Sequence, residues 1–479
     1  MPEIVSSPKS KRSPNLPSTK TDDSIFESLE VLYHNVAGID IGSERHYVSV
    51  PEDRDVKPVR NFGCFTPDLE EMARWLKDCK IENVVMESTG VYWMPCFNIL
   101  SSHGFNVQLV DARHTKGVPG RKTDVWDSKW LRKLHTFGFL RGCFLPSLEI
   151  EKLRTYWRHR DTQVAMLSQQ TLRMHKSMEM MNIHLQKVLS DTNGVTGMNI
   201  IRSIIAGVHD PLELVKFRMK NLKHSEETYI KALTGNYQEE HLFTLKQAVE
   251  MYDYIQSQIK GCDLEIEKYI CTLDDKESSM AEEVGTNSDA TVRSKRRPRQ
   301  GKNEPDFNLH AELNRITGVD LTGIDGIGTM TFQTIVSECG TDLKSSFPTE
   351  KHFVSWLGLA PNNQITGGKV HGRRTRKVHN RVNLALRNAA QGLHASKSAL
   401  GSFYRRLRSR IGAPKALTAT AAKLARLVWR LMTYGVAYVD IGQTEYEKRT
   451  EQKTLQYMVK KAAALGYGLV SKENGEVIV

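Results

Sequence analysis

The sequence predicts an α/β domain with a mixed sheet, followed by an all-α region, and three observations support this. Between residues 35 and 145, short apolar strands alternate with amphipathic helical segments, as in α/β domains. Two long runs of apolar residues at heptad spacing follow, over residues 150–188 and 242–273. From residue 309 onward the chain again shows helical periodicity.

The first segment reads as strands and helices in a fixed order. "NVAGIDIG" is a short strand, and "HYVSVPED" with "KPVRNFGCF" predicts a hairpin pair. "PDLEEMARWLKDCK" predicts a helix because proline stands early and apolar residues recur at helical spacing. "ENVVMES" and "NVQLVDA" are further strands, "YWMPCFNILSSHG" is a helix closed by glycine, and "TDVWDSKWLRKLHTFG" is the last helix.

The two heptad runs predict long helices that form either a coiled-coil hairpin or two arms that dimerise. In the first run, only Arg160 and Thr171 interrupt the pattern. Further on, "LTGIDGIGTMTFQTIVSECG" is typical of a helix–hairpin–helix turn, with Gly326 and Gly328 on either side of Ile327. Backbone amides at such a turn can bind a phosphate group.

Composition and periodicity together predict six segments. They are a disordered tail at 1–34, an α/β domain at 35–146, a coiled-coil helical domain at 147–280, a flexible basic linker at 281–308, a C-terminal helical domain at 309–445 and a C-terminal extension at 446–479.

The charge of the chain points to an anionic partner. The formal net charge is +12, and residues 351–439 contain 17 Lys and Arg but no Asp or Glu. Such a segment repels itself unless outside charge neutralises it, and nucleic-acid phosphates are the obvious source. The sequence contains no run of 18 apolar residues, so no transmembrane helix is predicted. The 7 cysteines contain no CxxC pair, so a zinc site or disulfide framework is not expected and a reducing cytoplasm fits best.

Four carboxylates in the α/β domain form a candidate metal site. Asp40 and Glu87 end strands, where ligands gather in α/β sheets, and Asp124 and Asp127 are three apart at the start of the last helix. Asp111, after the next strand, is a fifth candidate. Clustered carboxylates suit Mg²⁺, which in pairs clamps a phosphodiester for in-line displacement. Alternatively, each acid is a helix cap or a surface charge, as the helix dipole alone would favour.

The second candidate site is the stretch "PNNQITGGKVHGRRTRK", residues 361–377. Its basic side chains suit phosphate oxygens, and arginine can bind them in bidentate fashion. Generic contact with a nucleic-acid backbone explains most of them equally well. His371 and His379 are more typical of surface residues than of a general base. The residues predicted to bind nucleic acid are Gly326, Gly328, Gly367, Gly368, Lys369, Arg373, Arg374, Arg376 and Lys377.

In order along the chain, "GIDIG", "MESTG", "KTDVWDSKW", the glycine turn and "WLGLAP…GGK" resemble the DEDD-type insertion-sequence transposases that a bridge RNA guides. The resemblance spans residues 35–440 and implies a RuvC-like, RNase H-like first domain. It also implies that Asp40, Glu87, Asp124 and Asp127 are catalytic ligands of Mg²⁺, with Mn²⁺ as an alternative ion. The implied partners are donor DNA, target DNA and a noncoding bridge RNA. The implied assembly is a tetramer, a dimer of dimers, whose composite sites join two subunits in a bacterial or archaeal cytoplasm.

The resemblance also implies a nucleophilic serine just before the Gly-Gly pair, where this chain has Thr366. No serine occurs between Trp356 and Ala395 that could replace it. Three interpretations remain open: Thr366 is a working nucleophile, an inactivating change, or a turn residue while another hydroxyl cleaves. The threonine methyl restricts χ1 and crowds the attack.

The function predicted is therefore RNA-guided DNA recombination with strand cleavage and rejoining through a covalent protein–DNA intermediate. A Mg²⁺-dependent endonuclease similar to a junction resolvase is one alternative. A protein that binds RNA and DNA without cleaving them is the other.

Overall fold

The computed structural model describes residues 29–88, 90–111, 123–219, 223–276, 301, 303–372, 374–435, 442–470 and 477–478. The chain divides between Leu145 and Pro146 into two compact units. Among the described residues, no helix is long and apolar enough to cross a membrane. Most of the predicted tail (1–34) and linker (281–308), together with Arg373, lies outside the described residues.

The first unit contains a five-stranded mixed sheet. Its strands are β1 (Val36–Ile41), β2 (Arg45–Ser49), β3 (Val59–Gly63), β4 (Asn83–Glu87) and β5 (Asn106–Val110). They lie in the order β3-β2-β1-β4-β5. The first three pair antiparallel, as the predicted hairpin requires, whereas β1–β4 and β4–β5 pair parallel. The predicted mixed α/β architecture is confirmed.

Helices cover both faces of this sheet. They are α1 (Thr66–Asp78), α2 (Trp93–Ser102) and α3 (Asp124–Thr136). On one face, Ile39 and Met86 pack in a core with Leu76 of α1 and Leu100 of α2. On the other face, Val36, Val85 and Val110 pack against Leu131 of α3. Side chains along a strand point alternately to the two faces of the sheet, so alternate residues of each strand belong to the two different cores.

Residues before position 35 pack against the end of α3. The backbone amides of Leu32 and Tyr33 both donate to the carbonyl oxygen of Thr136, at 3.0 and 3.1 Å. The Tyr33 ring also stacks on the buried His135 ring, with centroids 4.6 Å apart. These contacts tie the start of the unit to the end of α3.

In the second unit, two long helices pack along each other and a group of short helices connects them. The long helices are α4 (Leu148–Met180) and α9 (Glu239–Ile270); between them lie α5 (Leu185–Val188), α6 (Val195–Ile205), α7 (Pro211–Leu214) and α8 (Glu226–Leu233). Both predicted long helices are present, but the first ends at Met180 and the last part of its predicted run, up to Val188, forms the separate helix α5. The short helices, which share a buried core with the facing ends of α4 and α9, were not predicted.

Both interruptions of the heptad pattern have structural partners. Arg160 is buried and forms an ion pair with the buried Asp263 of α9, and it also donates to the carbonyl of Asn303 at 3.0 Å. The Thr171 hydroxyl accepts a hydrogen bond from the Asn193 side chain at 2.7 Å. A buried charge is tolerated when it is paired and hydrogen-bonded, so Arg160 fits the helix interface.

The rest of the second unit is mainly helical, as predicted. The helices are α10 (Leu309–Thr317), α11 (Thr329–Cys339), α12 (Leu343–Ser346), α13 (Glu350–Trp356), α14 (Arg381–Gly392), α15 (Ala399–Ile411), α16 (Ala413–Tyr434) and α17 (Gly442–Ala464). Two small antiparallel ribbons are added, one of β6 (Gln364–Thr366) with β7 (Lys369–Gly372), the other of β8 (Leu469–Val470) with β9 (Val477–Ile478). Helix α17 contributes no buried residue.

Candidate functional site

Asp40 and Glu87 lie side by side at the ends of two neighbouring parallel strands. The last register pair of β1 and β4 joins Ile39 to Met86, and the two acids are the next residue on each strand. Residues two apart on a strand face the same side of the sheet. Asp40 stands two residues after Gly38, and Glu87 two after Val85, so both acids face the side that α3 covers. Strand register thus brings the first two predicted ligands together.

Helix α3 approaches β1 most closely at Gly38. A Cβ placed on Gly38 would lie 2.3 Å from the carbonyl oxygen of Ser128 and 2.6 Å from the amide nitrogen of Arg132. The C-terminal end of α3, at Thr136, lies beside the residues that precede β1. The helix therefore runs antiparallel to β1, and its N-terminus lies at the end of the strand that carries Asp40.

Asp124 and Asp127 occupy the first turn of α3, which therefore faces the same end of the sheet. The Thr123 hydroxyl caps the helix by accepting from the amide of Trp126 at 3.2 Å. The partial positive charge of a helix N-terminus stabilises acidic side chains there. All four predicted acids thus belong to one end of the unit, which we name the acidic edge (Asp40, Glu87, Asp124 and Asp127).

Asp111 also belongs to this end, because β5 pairs Val110 with Glu87 and Asp111 follows. Within the described residues, however, no three His, Cys, Asp or Glu side chains are grouped closely enough to hold a metal ion. Carboxylates of like charge repel each other across a short distance. The backbone therefore brings the acids to one edge without drawing their oxygen atoms into a ligand set.

Aromatic side chains around the acidic edge, the partly buried Trp126 and Trp130 and the exposed Tyr92, were not singled out from the sequence. Trp126 stacks on Trp130, with ring centroids 5.2 Å apart, one turn from the two aspartates. Tyr92, in the loop after β4, is 47% exposed. Aromatic faces can stack on unpaired bases. The signal available in the sequence was the i, i+4 tryptophan pair that brackets Asp127 in "KTDVWDSKW".

The predicted basic loop is an exposed β-hairpin. Thr366 pairs with Lys369 across a two-residue turn made by Gly367 and Gly368. Both glycines have positive φ, at 55° and 74°, which matches the type I′ turn that favours glycine in two-residue hairpins. Thr366 is exposed, and its position beside the turn places Lys369 directly across from it. The Gly-Gly pair was the sequence signal for this hairpin.

Contacts at the base of the hairpin hold its two ends together. Pro361 bridges Thr375, and the amide of Asn362 donates to the carbonyl of Arg374 at 3.1 Å. Arg376 donates to the carbonyl of Ser355 at 2.5 Å. The described basic side chains of this segment, those of Lys369, Arg374, Arg376 and Lys377, are all exposed.

The two glycines of the turn before α11, Gly326 and Gly328, have different structural roles. Gly326 has φ of +90°, and a Cβ there would lie 3.1 Å from the carbonyl of Ala389, so conformation and close packing both require glycine. Gly328 is the N-cap of α11 and makes no side-chain cap. Phosphate binding at this turn remains a prediction.

A network of ion pairs that no sequence motif indicated joins three helices of the second unit. Glu338 of α11 is 8% exposed and accepts two hydrogen bonds from Arg158 of α4, at 2.8 and 2.7 Å. Arg381, the first residue of α14 after the hairpin segment, lies 3.9 Å from Glu338 and donates to Asp161 at 2.7 Å. Residues 180 positions apart in sequence give no local signal.

Comparison with known protein families identifies the class of protein. Residues 37–183 match the DEDD family model of IS110, described as a transposase, and residues 320–405 match the model described as the transposase IS116/IS110/IS902 family. No curated protein matches the chain. The chain is therefore a DNA transposase, a recombinase enzyme. The two matched segments support a DEDD-type transposase of the IS110 family.

Proposed function

We propose that this transposase is an RNA-guided DNA recombinase that cleaves and rejoins strands through a covalent protein–DNA intermediate. The observation that supports this most is the acidic edge, where register and helix direction bring Asp40, Glu87, Asp124 and Asp127 to one end of the sheet. Such an arrangement of carboxylates suits divalent-cation catalysis of phosphodiester chemistry.

Asp40, Glu87, Asp124 and Asp127 would hold Mg²⁺, or Mn²⁺ in its place. Their chemistry fits, because all four offer the hard oxygen atoms that these cations prefer. When bound, the cation supplies neutralisation of charge on the phosphate oxygens. The protein contributes by fixing the two strand-end acids through β1 and β4, and the two helix acids through the packing of α3 at Gly38.

Thr366 is the nucleophile in this proposal. Its Oγ1 attacks phosphorus, an Oγ1–P bond forms, and the bond from phosphorus to one deoxyribose oxygen breaks. The hydroxyl proton leaves Oγ1, and the released deoxyribose oxygen takes up a proton. Reversal by a new DNA hydroxyl rejoins the strand and frees Thr366. Lys369, across the turn from Thr366, lies where its ammonium can neutralise the attacked phosphate.

The proposal extends to the partners and the assembly. A noncoding RNA pairs with donor and target DNA, and the protein reads the backbone of the hybrid. The absence of acids in residues 351–439 supports backbone binding by the second unit. A tetramer would join the acidic edge of one subunit to Thr366 of another. The paired helices α4 and α9 form the coiled-coil part in this proposal, and the first unit has a RuvC-like fold.

One observation favours a second candidate function. The residue before Gly367 is threonine where the resemblance implies serine, and its extra methyl hinders attack. If Thr366 does not attack, the acidic edge alone would make a hydrolytic endonuclease. If the acidic edge is also inactive, the protein only binds RNA and DNA.

A single assay separates these functions. The protein is incubated with Mg²⁺, its flanking noncoding RNA and labelled donor and target DNA, and the products are run on a denaturing protein gel. A covalent adduct that Thr366→Ala abolishes is the expected result. Cleaved DNA without an adduct would establish the endonuclease, and stable binding without either product would establish the binding protein. Thr375→Ala, which removes a hydroxyl at the base of the hairpin, is the matched control.

A further inference from the structure

Helix α17 covers a group of cations on α15 and α16. Along the chain, this group begins where the second family match ends. The group consists of Arg405 and Arg406 of α15 and Lys423 of α16, and we name it the arginine–lysine surface. The second family match ends at residue 405. Neither the acidic edge nor the hairpin includes these residues.

The contacts from α17 come from its first turns. The Arg406 guanidinium donates to the Tyr446 hydroxyl at 2.9 Å, and its Cζ lies 5.6 Å from the Tyr446 ring centroid. Arg405 donates to the Gln443 side chain at 3.0 Å. The Lys423 ammonium lies over Phe403, 4.2 Å from the ring centroid, and 5.8 Å from that of Tyr446.

The covering groups lie close to these cations without forming an ion pair with them. Across the described residues, neither Arg406 nor Lys423 pairs with a carboxylate, although Arg430 and Arg381 elsewhere in the second unit do. Two acids of α17, Glu447 and Glu451, line the same cavity as Arg405 and Arg406, and Glu447 accepts hydrogen bonds from Ser402 and Gln443. Burial, and then the charge of Arg406, lower the pKa of Lys423. The cations are therefore crowded together under a helix that supplies an aromatic ring, a neutral amide and two nearby carboxylates, without a described ion pair to Arg406 or Lys423.

The cover is also weakly held. Helix α17 contributes no buried residue, so its hold on α15 depends on exposed or partly buried hydrogen bonds and on cation–π contacts. Such contacts are individually weak in water. A DNA phosphate offers the same guanidinium groups a charged acceptor, and its binding also releases counterions. Phosphates therefore compete well against Gln443 and Tyr446.

We propose that the arginine–lysine surface binds the phosphate backbone of DNA, and that α17 masks this surface until DNA displaces it. The mask restrains binding to arbitrary DNA, because a weak non-specific contact must first displace the helix. DNA already held at other sites of the transposase meets the surface at high effective concentration and opens it. This proposal goes beyond the cleavage chemistry and does not depend on it.

Binding measurements on the full-length protein test this proposal. Affinity for a short labelled duplex of arbitrary sequence is measured by fluorescence anisotropy at several salt concentrations. Tyr446→Ala removes the cover and is expected to tighten binding roughly 3–10-fold. Arg406→Ala is expected to weaken binding and to reduce the salt slope by about 1. Arg449→Ala, whose guanidinium bonds to Glu445 within α17 itself, is the control and leaves affinity unchanged.

Weaker or unchanged binding by Tyr446→Ala would overturn the proposal, as would unchanged binding by Arg406→Ala. Hydrogen exchange supplies a second measurement that needs no variant. Amides of residues 442–451 should exchange faster when duplex DNA is added, whereas a purely structural helix would not respond. If single-stranded RNA accelerates this exchange and DNA does not, the surface serves RNA and the proposal fails. Using Asp40→Asn protein in the same experiments keeps the result independent of strand cleavage.

Discussion

The acidic edge and the Thr366 hairpin differ in how the chain holds them. At the acidic edge, Asp40 and Glu87 are the next residues after a buried strand pairing, and α3 packs against Gly38 without space for a methyl group. In the hairpin, by contrast, Thr366 is exposed beside a two-residue turn, and the neighbouring Ile365 side chain is 62% exposed. Core packing fixes the first site, whereas backbone pairing and a few contacts at its base hold the second.

This difference indicates that the acidic edge is preorganised and that the hairpin is not. The acids are held by elements whose displacement would disrupt a packed core, so their backbone positions exist before any substrate binds. The hairpin has little packing of its own and must be oriented by what it contacts, such as nucleic acid at its exposed basic side chains. Substitutions at the two sites can test whether core packing positions the acids and whether contact with nucleic acid positions the hairpin.

The largest effect is expected at the acidic edge. Asp40→Asn removes a charge from the proposed ligand set while keeping the side chain's shape. We expect DNA cleavage to fall about a thousandfold, corresponding to about 4 kcal/mol of transition-state stabilisation, with DNA binding unchanged. Cleavage assays with Mg²⁺ and anisotropy measurements check this. Glu52→Gln, a carboxylate paired with Lys129 at 3.8 Å, is the control, and full activity of Asp40→Asn would remove Asp40 from the site.

The next effect tests whether packing positions the helix acids. Gly38→Ala places a methyl group against the backbone of α3, so the helix must shift. We expect a loss of about 1–3 kcal/mol in the free energy of unfolding, together with reduced cleavage because Asp124 and Asp127 move with the helix. Denaturant unfolding and cleavage rates measure the two effects.

The matched control is Gly261→Ala in the middle of α9. A Cβ there meets nothing within 4 Å, so alanine should be neutral or stabilise the helix by roughly 0.5–1 kcal/mol. If Gly38→Ala also leaves stability and cleavage intact, then α3 is not held by this close approach, and preorganisation of the acidic edge loses its basis.

The same contrast explains what could be predicted from the sequence. Every strand and helix that the structure describes in the first unit followed from local periodicity, and the four acids were singled out because they stand at strand ends and at a helix start. The pairing of Arg160 with Asp263, and of Glu338 with Arg158, could not be predicted, because each joins residues more than 100 positions apart. The short helices between α4 and α9 were missed because segments of 4–11 residues give weak periodicity.

A smaller effect is expected in the hairpin turn. Gly367 has φ of 55°, where a residue with a Cβ is strained by roughly 1–2 kcal/mol, so Gly367→Ala should reduce adduct formation about 5–30-fold. The free energy of unfolding should fall by no more than this strain, because a Cβ at this position meets nothing within 4 Å and adds no clash. Gly367→Asn, which tolerates this conformation, should retain activity. Equal loss in both variants would show that turn conformation is not what the site requires.

The smallest effect is expected at the Thr366 hydroxyl, and it tests whether the hairpin orients this hydroxyl before substrate binds. Thr366→Ser removes the methyl that limits χ1, and a restricted rotamer costs about 0.5–1.5 kcal/mol, so adduct formation should rise roughly 2–10-fold. Because Thr366 is exposed, stability should not change with this substitution. A time course of adduct formation under single-turnover conditions measures the gain, and Thr375→Ser in the same segment is the control. A lower rate in Thr366→Ser would mean that the methyl helps to orient the hydroxyl, and that the hairpin is more preorganised than its exposure indicates.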